Sequence, residues 1–178
     1  MKILLSEDEL REGVQRLARQ INAHYQRRPV TLLGVLTGSI VLVADLIRQL
    51  DMPLCVGVIQ ARSYRGHATE PGELTVNSDL VPDIRGRHVL LVDDIFDTGQ
   101  TLAELIKQLH RWGPESLRSA VLLTKQGRQS VAMQPDYVAF EIPNEFVVGY
   151  GLDYQDAYRN LPYVAALESG ELGQGPHS

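Results

Sequence analysis

The chain holds a single cysteine, Cys55, among its 178 residues. No disulfide can form within it, and no pair of cysteines offers the spacing of a zinc site. Cys55 falls in an apolar run at 54–59 and is expected to be a core thiol. No apolar stretch nears the roughly 20 residues a helix needs to cross a bilayer, so no membrane contact is expected. The N-terminus lacks the basic and apolar segments of a secretory signal. Together these absences point to a protein of the cytoplasm. Basic residues are also few: 17 Lys and Arg face 22 Asp and Glu, a formal charge of −5. With no basic stripe, nucleic acid is disfavoured as a partner. The histidines at 24, 67, 88, 110 and 177 show no metal-ligand spacing. What remains is an ordinary globular composition, 44% hydrophobic and 22% charged, in a length that suits one domain.

Along the chain, strand-like and helix-like runs alternate. Ser6-Glu7-Asp8-Glu9 is a capping box, followed by Leu10, Val14, Leu17 and Ile21 on one helical face. Residues 30–36 read as a buried strand. Thr37-Gly38-Ser39 then turns into a helix bearing Ile40, Val43, Ala44, Ile47 and Leu50. Pro53 ends that helix, and 54–59 is the next strand. Strand, helix, strand in this order is the unit of a parallel α/β sheet. The stretch 61–72 is polar, with Gly66, Pro71 and Gly72. It is long for a loop in a compact domain and is expected to be either without order or a functional lid. A short strand is expected at 73–77, with further strands at 120–124, 137–140, 147–150 and 163–167. Only the first of these last four follows a long helix, so the C-terminal third is expected beside or over the main sheet. Residues 170–178 are Gly-rich and read as a frayed tail.

Most of the chemistry lies in VLLVDDIFDTGQTL, residues 89–102. Val89 to Val92 are apolar on both faces, as in a central parallel strand. Asp93, Asp94 and Asp97 follow, and Thr98-Gly99-Gln100-Thr101 opens a helix carrying Leu102, Leu105, Ile106, Leu109 and Trp112, with Gly113-Pro114 as its stop. A strand feeding a helix through a small polar turn leaves backbone N–H groups free to bind phosphate. Carboxylates beside that point could hold sugar hydroxyls or a bridging metal. Phosphate, sugar and metal within one turn suggest a phosphorylated ribose. No lysine lies between Val89 and Ala103, which excludes the triphosphate loop, and one glycine is too few for a dinucleotide fingerprint. A single terminal phosphate fits better. The plainer alternative, acids solvated at a sheet edge, suits Asp97 or Thr98 alone but explains three carboxylates in five residues poorly.

These residues, with VLTGSIVLVADL, ARSYRG, FEIPNEFVVGYGLDY and YRNLPY, resemble the hypoxanthine/guanine phosphoribosyltransferases from about Leu32 to Leu167. The resemblance implies a type I phosphoribosyltransferase fold, a central parallel sheet flanked by helices with a small hood. It implies one domain over 1–170, with the core at about 28–140, the hood built from the N-terminal and 141–170 segments, and 171–178 as a flexible tail. It also implies a magnesium-dependent reaction. A 6-oxopurine, hypoxanthine or guanine, and phosphoribosyl pyrophosphate give IMP or GMP and pyrophosphate, in a homodimer or homotetramer.

The same resemblance assigns roles. Asp97 is the catalytic carboxylate at purine N7, where the plainer alternative is a helix cap. Asp93 and Asp94 hold the ribose hydroxyls and, with Asp153, magnesium; Asp93 stands where the family commonly has glutamate. Thr98, Gly99, Gln100 and Thr101 cradle the 5′-phosphate, mainly through backbone donors. Thr37, Gly38 and Ser39 bind pyrophosphate through amides, with a non-proline cis peptide before the glycine, and Arg159 adds a contact. Thr37 replaces a usual lysine or arginine. Lys125 donates to the purine 6-oxygen, Phe146 stacks on the base, Val147 meets its edge, and Asp153 lies nearby. Ser63 and Tyr64 belong to the lid. Taken alone, Lys125 is a solvated strand-end lysine and Phe146 a core aromatic. A second class, a phosphoribosyl pyrophosphate-binding regulator without catalysis, shares all these features. An aspartate-nucleophile phosphatase does not, because the spacing Asp94 to Thr98 misses D-x-D-x-T by one residue.

Overall fold

The computed structural model describes residues 1–63, 74–168 and 170–171. It opens with a short strand, β1 (Lys2–Leu5), ahead of the helix signalled by the capping box. That helix, α1 (Glu7–Tyr25), has both reciprocal bonds of the box between Ser6 and Glu9, and its apolar stripe is buried. Strand β2 (Val30–Leu36), helix α2 (Ile40–Ile47) and strand β3 (Leu54–Ser63) follow, then β4 (Leu74–Asn77). The motif forms β5 (His88–Phe96) and α3 (Gln100–His110). Strands β6 (Ser116–Lys125), β7 (Tyr137–Ile142), β8 (Val147–Val148) and β9 (Val164–Ala166) complete the chain.

Six strands form one sheet in the order β4-β3-β2-β5-β6-β7, parallel throughout except that β4 runs against β3. Burial on both faces explains its unbroken apolar runs. Leu90 and Val92 of β5 pack with Leu10, Leu17, Leu42 and Leu46 of α1 and α2. Val89 and Leu91 point the other way, into Leu102, Leu105 and Leu109 of α3. This is the expected α/β architecture. The remaining strands form an antiparallel sheet, β1-β9-β8. Its strand β1 is too short to announce itself in the sequence; it is held by pairing with β9, Lys2 opposite Ala166.

Several boundaries differ from expectation. Strand β5 runs four residues past Val92, pairing Ile95 with Leu123 and Phe96 with Thr124, so Asp93 and Asp94 belong to the strand itself. Cys55 is half-buried, not a core thiol. The outer edge of β3 is paired by β4 only from Gln60 onward, and the neighbouring Val56 remains 46% exposed. Strand β8 stops at Val148, because Gly149 and Tyr150 turn the chain with positive φ. The helix α3 ends at His110, and Gly113, at φ 71°, completes the expected stop. Tyr64, most of the expected lid, His67 and the tail from 172 lie outside the described residues.

One close approach joins the segment after β8 to the main sheet. Gly151 has φ 99°, and a Cβ there would stand 2.2 Å from the Gly38 carbonyl oxygen. Its own carbonyl accepts a 2.8 Å hydrogen bond from Arg159 Nη1. Gly86, at φ 68°, has open space, with nothing within 4 Å of the point a Cβ would occupy. Gly86→Ala is therefore expected to lose only the about 1–2 kcal/mol of a left-handed backbone. Gly151→Ala is expected to lose roughly 3 kcal/mol or more, since backbone must also move. Urea denaturation of the two variants checks the difference, and equal midpoints would refute it.

Candidate active site

In the main sheet β2 and β5 lie side by side, and the chain leaves them in opposite directions, through α2 to β3 and through α3 to β6. Ligands of open α/β sheets bind at such a switch point, outside the carboxyl ends of the strands. A cavity of about 330 Å³ opens there. Its walls are Val35 to Gly38 from β2 and its turn, Asp93 to Gly99 with Thr101 and Leu102 from the motif, Ala61, and Asp153 with Arg159. The peptide between Leu36 and Thr37 is cis, one bond earlier than the bond directly preceding Gly38.

The acidic pair sits deepest. Asp93 Oδ1 accepts from the Asp94 N–H at 2.9 Å, and Asp94 Oδ1 from the Ile95 N–H at 2.7 Å. Gly38 is the residue that makes room, since a Cβ on it would fall 1.5 Å from Asp94 Oδ2. Burial drives the Asp93 carboxyl well above its ordinary range, and the neighbouring Asp94 charge adds to the effect. Burial also raises Asp94, against the pull of its hydrogen bonds and of the Arg159 charge. Neither forms an ion pair among the described residues. Two hard carboxylates, one buried and one half-buried and neither in an ion pair, suit a divalent cation that takes one or two carboxylates and completes its shell with water and substrate oxygens. Among the described residues no group of three or more metal-ligating side chains is placed to hold a metal ion.

The helix beside the pair is built in the opposite way to α1. Helix α1 carries three acids in its first turn and a side-chain cap. Helix α3 has neither; its N-cap is Gly99 in the left-handed conformation at φ 84°. A Cβ on Gly99 would meet Val131 at 2.5 Å and Phe96 at 2.6 Å, so packing as well as φ calls for glycine. Of the first amides of α3, Gln100 N–H donates to Thr98 Oγ1 at 3.4 Å, while Gly99, Thr101 and Leu102 line the cavity at the positive end of the helix, where an anion can bind.

Asp97 is not a helix cap. Its Oδ2 lies 3.3 Å from Lys125 Nζ, and its Oδ1 accepts from Arg128 Nε at 2.9 Å. Partial burial acts to raise its pKa, but the Arg128 hydrogen bond and the Lys125 charge outweigh it and hold the carboxyl below its ordinary value. Lys125 is only 9% exposed, so it is no solvated strand-end lysine. Arg159 closes another wall, with Nη2 on Asp153 Oδ1 at 2.9 Å.

Other expected site residues stand apart from the cavity. Ser39 is fully buried; its hydroxyl donates to the Val35 carbonyl at 2.6 Å and its N–H is turned to the same oxygen at 3.4 Å. Gln100 donates from Nε2 to Ser130 Oγ at 3.2 Å. Phe146 is 43% exposed, no core aromatic, and meets Tyr154 edge-on with ring centroids 5.4 Å apart. Val147 beside it is buried. Ser63 ends β3, and Tyr64 lies outside the described residues. Sequence reasoning missed the turn after β6 altogether. Arg128 reaches Asp97, and the Ser130 N–H donates to the Thr98 carbonyl at 2.9 Å. The only local signal was a Gly-Arg pair following Lys125.

The buried acids make stability depend on pH. Their folded pKa values lie above the unfolded ones, so the folded chain binds more protons and stability falls as pH rises through that window. In metal-free buffer, Asp93→Asn should therefore gain stability over the parent as pH climbs from about 4 toward neutrality. Urea denaturation with a chelator measures this; parallel pH dependences would count against it.

Three comparisons place this geometry among known proteins. Residues 2–155 match the Phosphoribosyl transferase domain family. The hypoxanthine-guanine phosphoribosyltransferase of Streptococcus pneumoniae is 41% identical over 167 residues, 94% of this chain and 93% of that one. The enzyme of the same name from Staphylococcus epidermidis is 38% identical over the same shares. A crystal structure of a Bacillus anthracis hypoxanthine-guanine phosphoribosyltransferase, with a HEPES molecule in its active site, superposes with a TM-score of 0.89 at 37% identity. It covers 94% of this chain and 99% of the crystallised one. With fold, motif and near full-length identity in agreement, the chain belongs to the hypoxanthine-guanine phosphoribosyltransferase family.

Proposed function

We propose that this protein is an enzyme of purine salvage. It transfers the 5-phosphoribosyl group from phosphoribosyl pyrophosphate to N9 of hypoxanthine or guanine, releasing IMP or GMP and pyrophosphate. The observation that carries the reading is one cavity bringing together a helix N-terminus without a side-chain cap, the buried Asp93 and half-buried Asp94, and the Asp97 carboxylate, in a chain 41% identical to a named enzyme. No observation favours a binding regulator that lacks catalysis.

The chemistry follows from the walls. The 5′-phosphate binds at the amides of Thr98, Gly99 and Thr101, which fixes the sugar. Asp93 and Asp94 accept the ribose hydroxyls. The anomeric C–O bond breaks toward pyrophosphate as the N9 lone pair approaches, through a cation-like transition state. Arg159 and the amides of the Thr37-Gly38 turn receive the leaving group. Asp97 takes the proton from N7 of the incoming base and returns it in the reverse direction. Lys125, a donor without an acceptor, welcomes a 6-oxo group and rejects a 6-amino group. Phe146 stacks on the base and Val147 meets its edge.

Magnesium would be held by Asp93 and Asp94, with Asp153 near, and supplies charge neutralisation to the pyrophosphate when bound. Ser39 supports the pyrophosphate turn from behind, and Gln100 the phosphate loop. Ser63 and Tyr64 form part of a lid that hides the reaction from water. The chain acts as one catalytic domain, 1–170, with the three-stranded sheet in its hood, in the cytoplasm and as a homodimer or homotetramer. No helix of the described residues is long and apolar enough to cross a membrane.

Asp97→Asn is expected to lower kcat about 10²- to 10⁴-fold while phosphoribosyl pyrophosphate still binds, since the phosphate cradle is untouched. Near-parent turnover would remove Asp97 from the chemistry. Lys125→Met should depress the rates with hypoxanthine and guanine together. A panel of hypoxanthine, guanine, xanthine and adenine with magnesium, scored for nucleotide formed, tests the substrate class. Adenine as the preferred base would overturn it.

A further inference from the structure

Both oxygens of Asp97 are engaged within the protein, and by two unlike cations. Lys125 is buried at the end of β6 and sits 3.3 Å from Oδ2. Arg128 is 44% exposed and sits 2.9 Å from Oδ1. It lies on a turn that is open outward: Gly127 has φ 67° and nothing within 4 Å of the place a Cβ would take. The turn is fastened at its two ends. The Gln126 N–H donates to the Ile142 carbonyl at 3.0 Å, and the Ser130 N–H to the Thr98 carbonyl at 2.9 Å. Arg128 is therefore held at Asp97 by where the turn is tied, while its guanidinium stays half in water.

We propose that Arg128 is a positioning residue that keeps the Asp97 carboxylate on the turn in the free protein and yields its place on Oδ1 to the incoming purine. The proposal rests on the reading of Asp97 as the group that meets purine N7. The exchange is donor for donor: the guanidinium presents one Nε–H to Oδ1, and a purine protonated at N7 presents one N–H to the same oxygen. Lys125 need not leave, because an ammonium has three donors and can serve Asp97 and a 6-oxo group at once. Arg128 leaves readily, because a half-exposed ion pair is weak and the freed guanidinium is rehydrated. Among the described residues the charged groups facing Asp97 are Lys125 from β6 and Arg128 from the turn; Asp93 and Asp94 of β5 are bonded along their own backbone. Arg128 thus guards the base-binding end of the cavity and keeps Asp97 charged and oriented until a base with the right donor arrives.

The test uses the full chain with Arg128→Gln and Arg128→Lys. In ligand-free Arg128→Gln the carboxyl carbon of Asp97, followed by NMR, should titrate at higher pH than in the parent, because one cation that favours the ionised form is gone. The acid limb of kcat/KM for hypoxanthine should move the same way. The KM for hypoxanthine should fall about two- to fivefold, the range of a half-exposed ion pair, with that for phosphoribosyl pyrophosphate unchanged. Arg128→Lys, which keeps the charge but not the planar donor, should return part of each effect. An unmoved titration overturns the proposal, as does a moved titration with an unmoved hypoxanthine KM. A higher hypoxanthine KM also overturns it, by making Arg128 a substrate ligand. Failure of the underlying reading is separate: parent turnover in Asp97→Asn removes the base even where Arg128→Gln still moves the carboxyl titration.

Discussion

The carboxylate of Asp94 rests against the bare α-carbon of Gly38, and the backbone of Gly151 presses on the carbonyl of that same glycine. Three segments far apart in the chain meet at this point: the end of β5, the turn after β2, and the segment after β8. Each contributes a wall of the cavity. None of the contacts tolerates a side chain at the glycine involved, so the geometry is fixed by hard-sphere exclusion before any hydrogen bond is counted. Arg159, bonded to the Gly151 carbonyl and to Asp153, extends the same joint to the other side of the site.

Around that joint the site separates its carboxylates into two environments. Asp93 is buried and Asp94 half-buried, neither in an ion pair among the described residues, and desolvation drives them up; Asp97 has two paired cations and is held down. Groups of one chemical kind pushed in opposite directions take different tasks. The first pair has no ion-pair partner among the described residues and offers oxygens to a cation or to hydroxyl donors. The third is outnumbered by its two cations, Lys125 and Arg128. The helix N-terminus completes the pattern, because α3 lacks the acids and the cap that neutralise α1.

Much of this was legible in residues 89–102. A parallel strand buried on both faces has to be apolar throughout, and a helix start has a small vocabulary of residues, so both could be read locally. So could the capping box at Ser6. What could not be read depends on distance across the sheet. Strand β5 outlasts its apolar run because β6 continues to pair with it through Phe96. Strand β1 exists only by pairing with β9. Cys55 is half-buried, and β4 ends at Asn77, opposite Gln60, without reaching it. The assignment of Ser39 to the pyrophosphate turn missed that its hydroxyl and N–H both turn back to Val35. Arg128 is the same kind of omission, since nothing in Gly127-Arg128 tells that Asp97 lies within reach.

The turn that carries Arg128 also changes what the phosphate loop is. Thr98 and Gln100 belong to the loop by sequence, yet the Thr98 carbonyl accepts from Ser130 and the Gln100 side chain donates to the Ser130 hydroxyl. Residues 126–130 therefore form a second layer on the turn at the start of α3. A loop whose carbonyl is already engaged cannot easily flip its peptide, so its N–H groups keep their direction. Lys125 enters this layer from the end of β6 and is the group in it that reaches both the sheet and Asp97. In the proposed function, base recognition and phosphate binding would thus share one strand end and one turn.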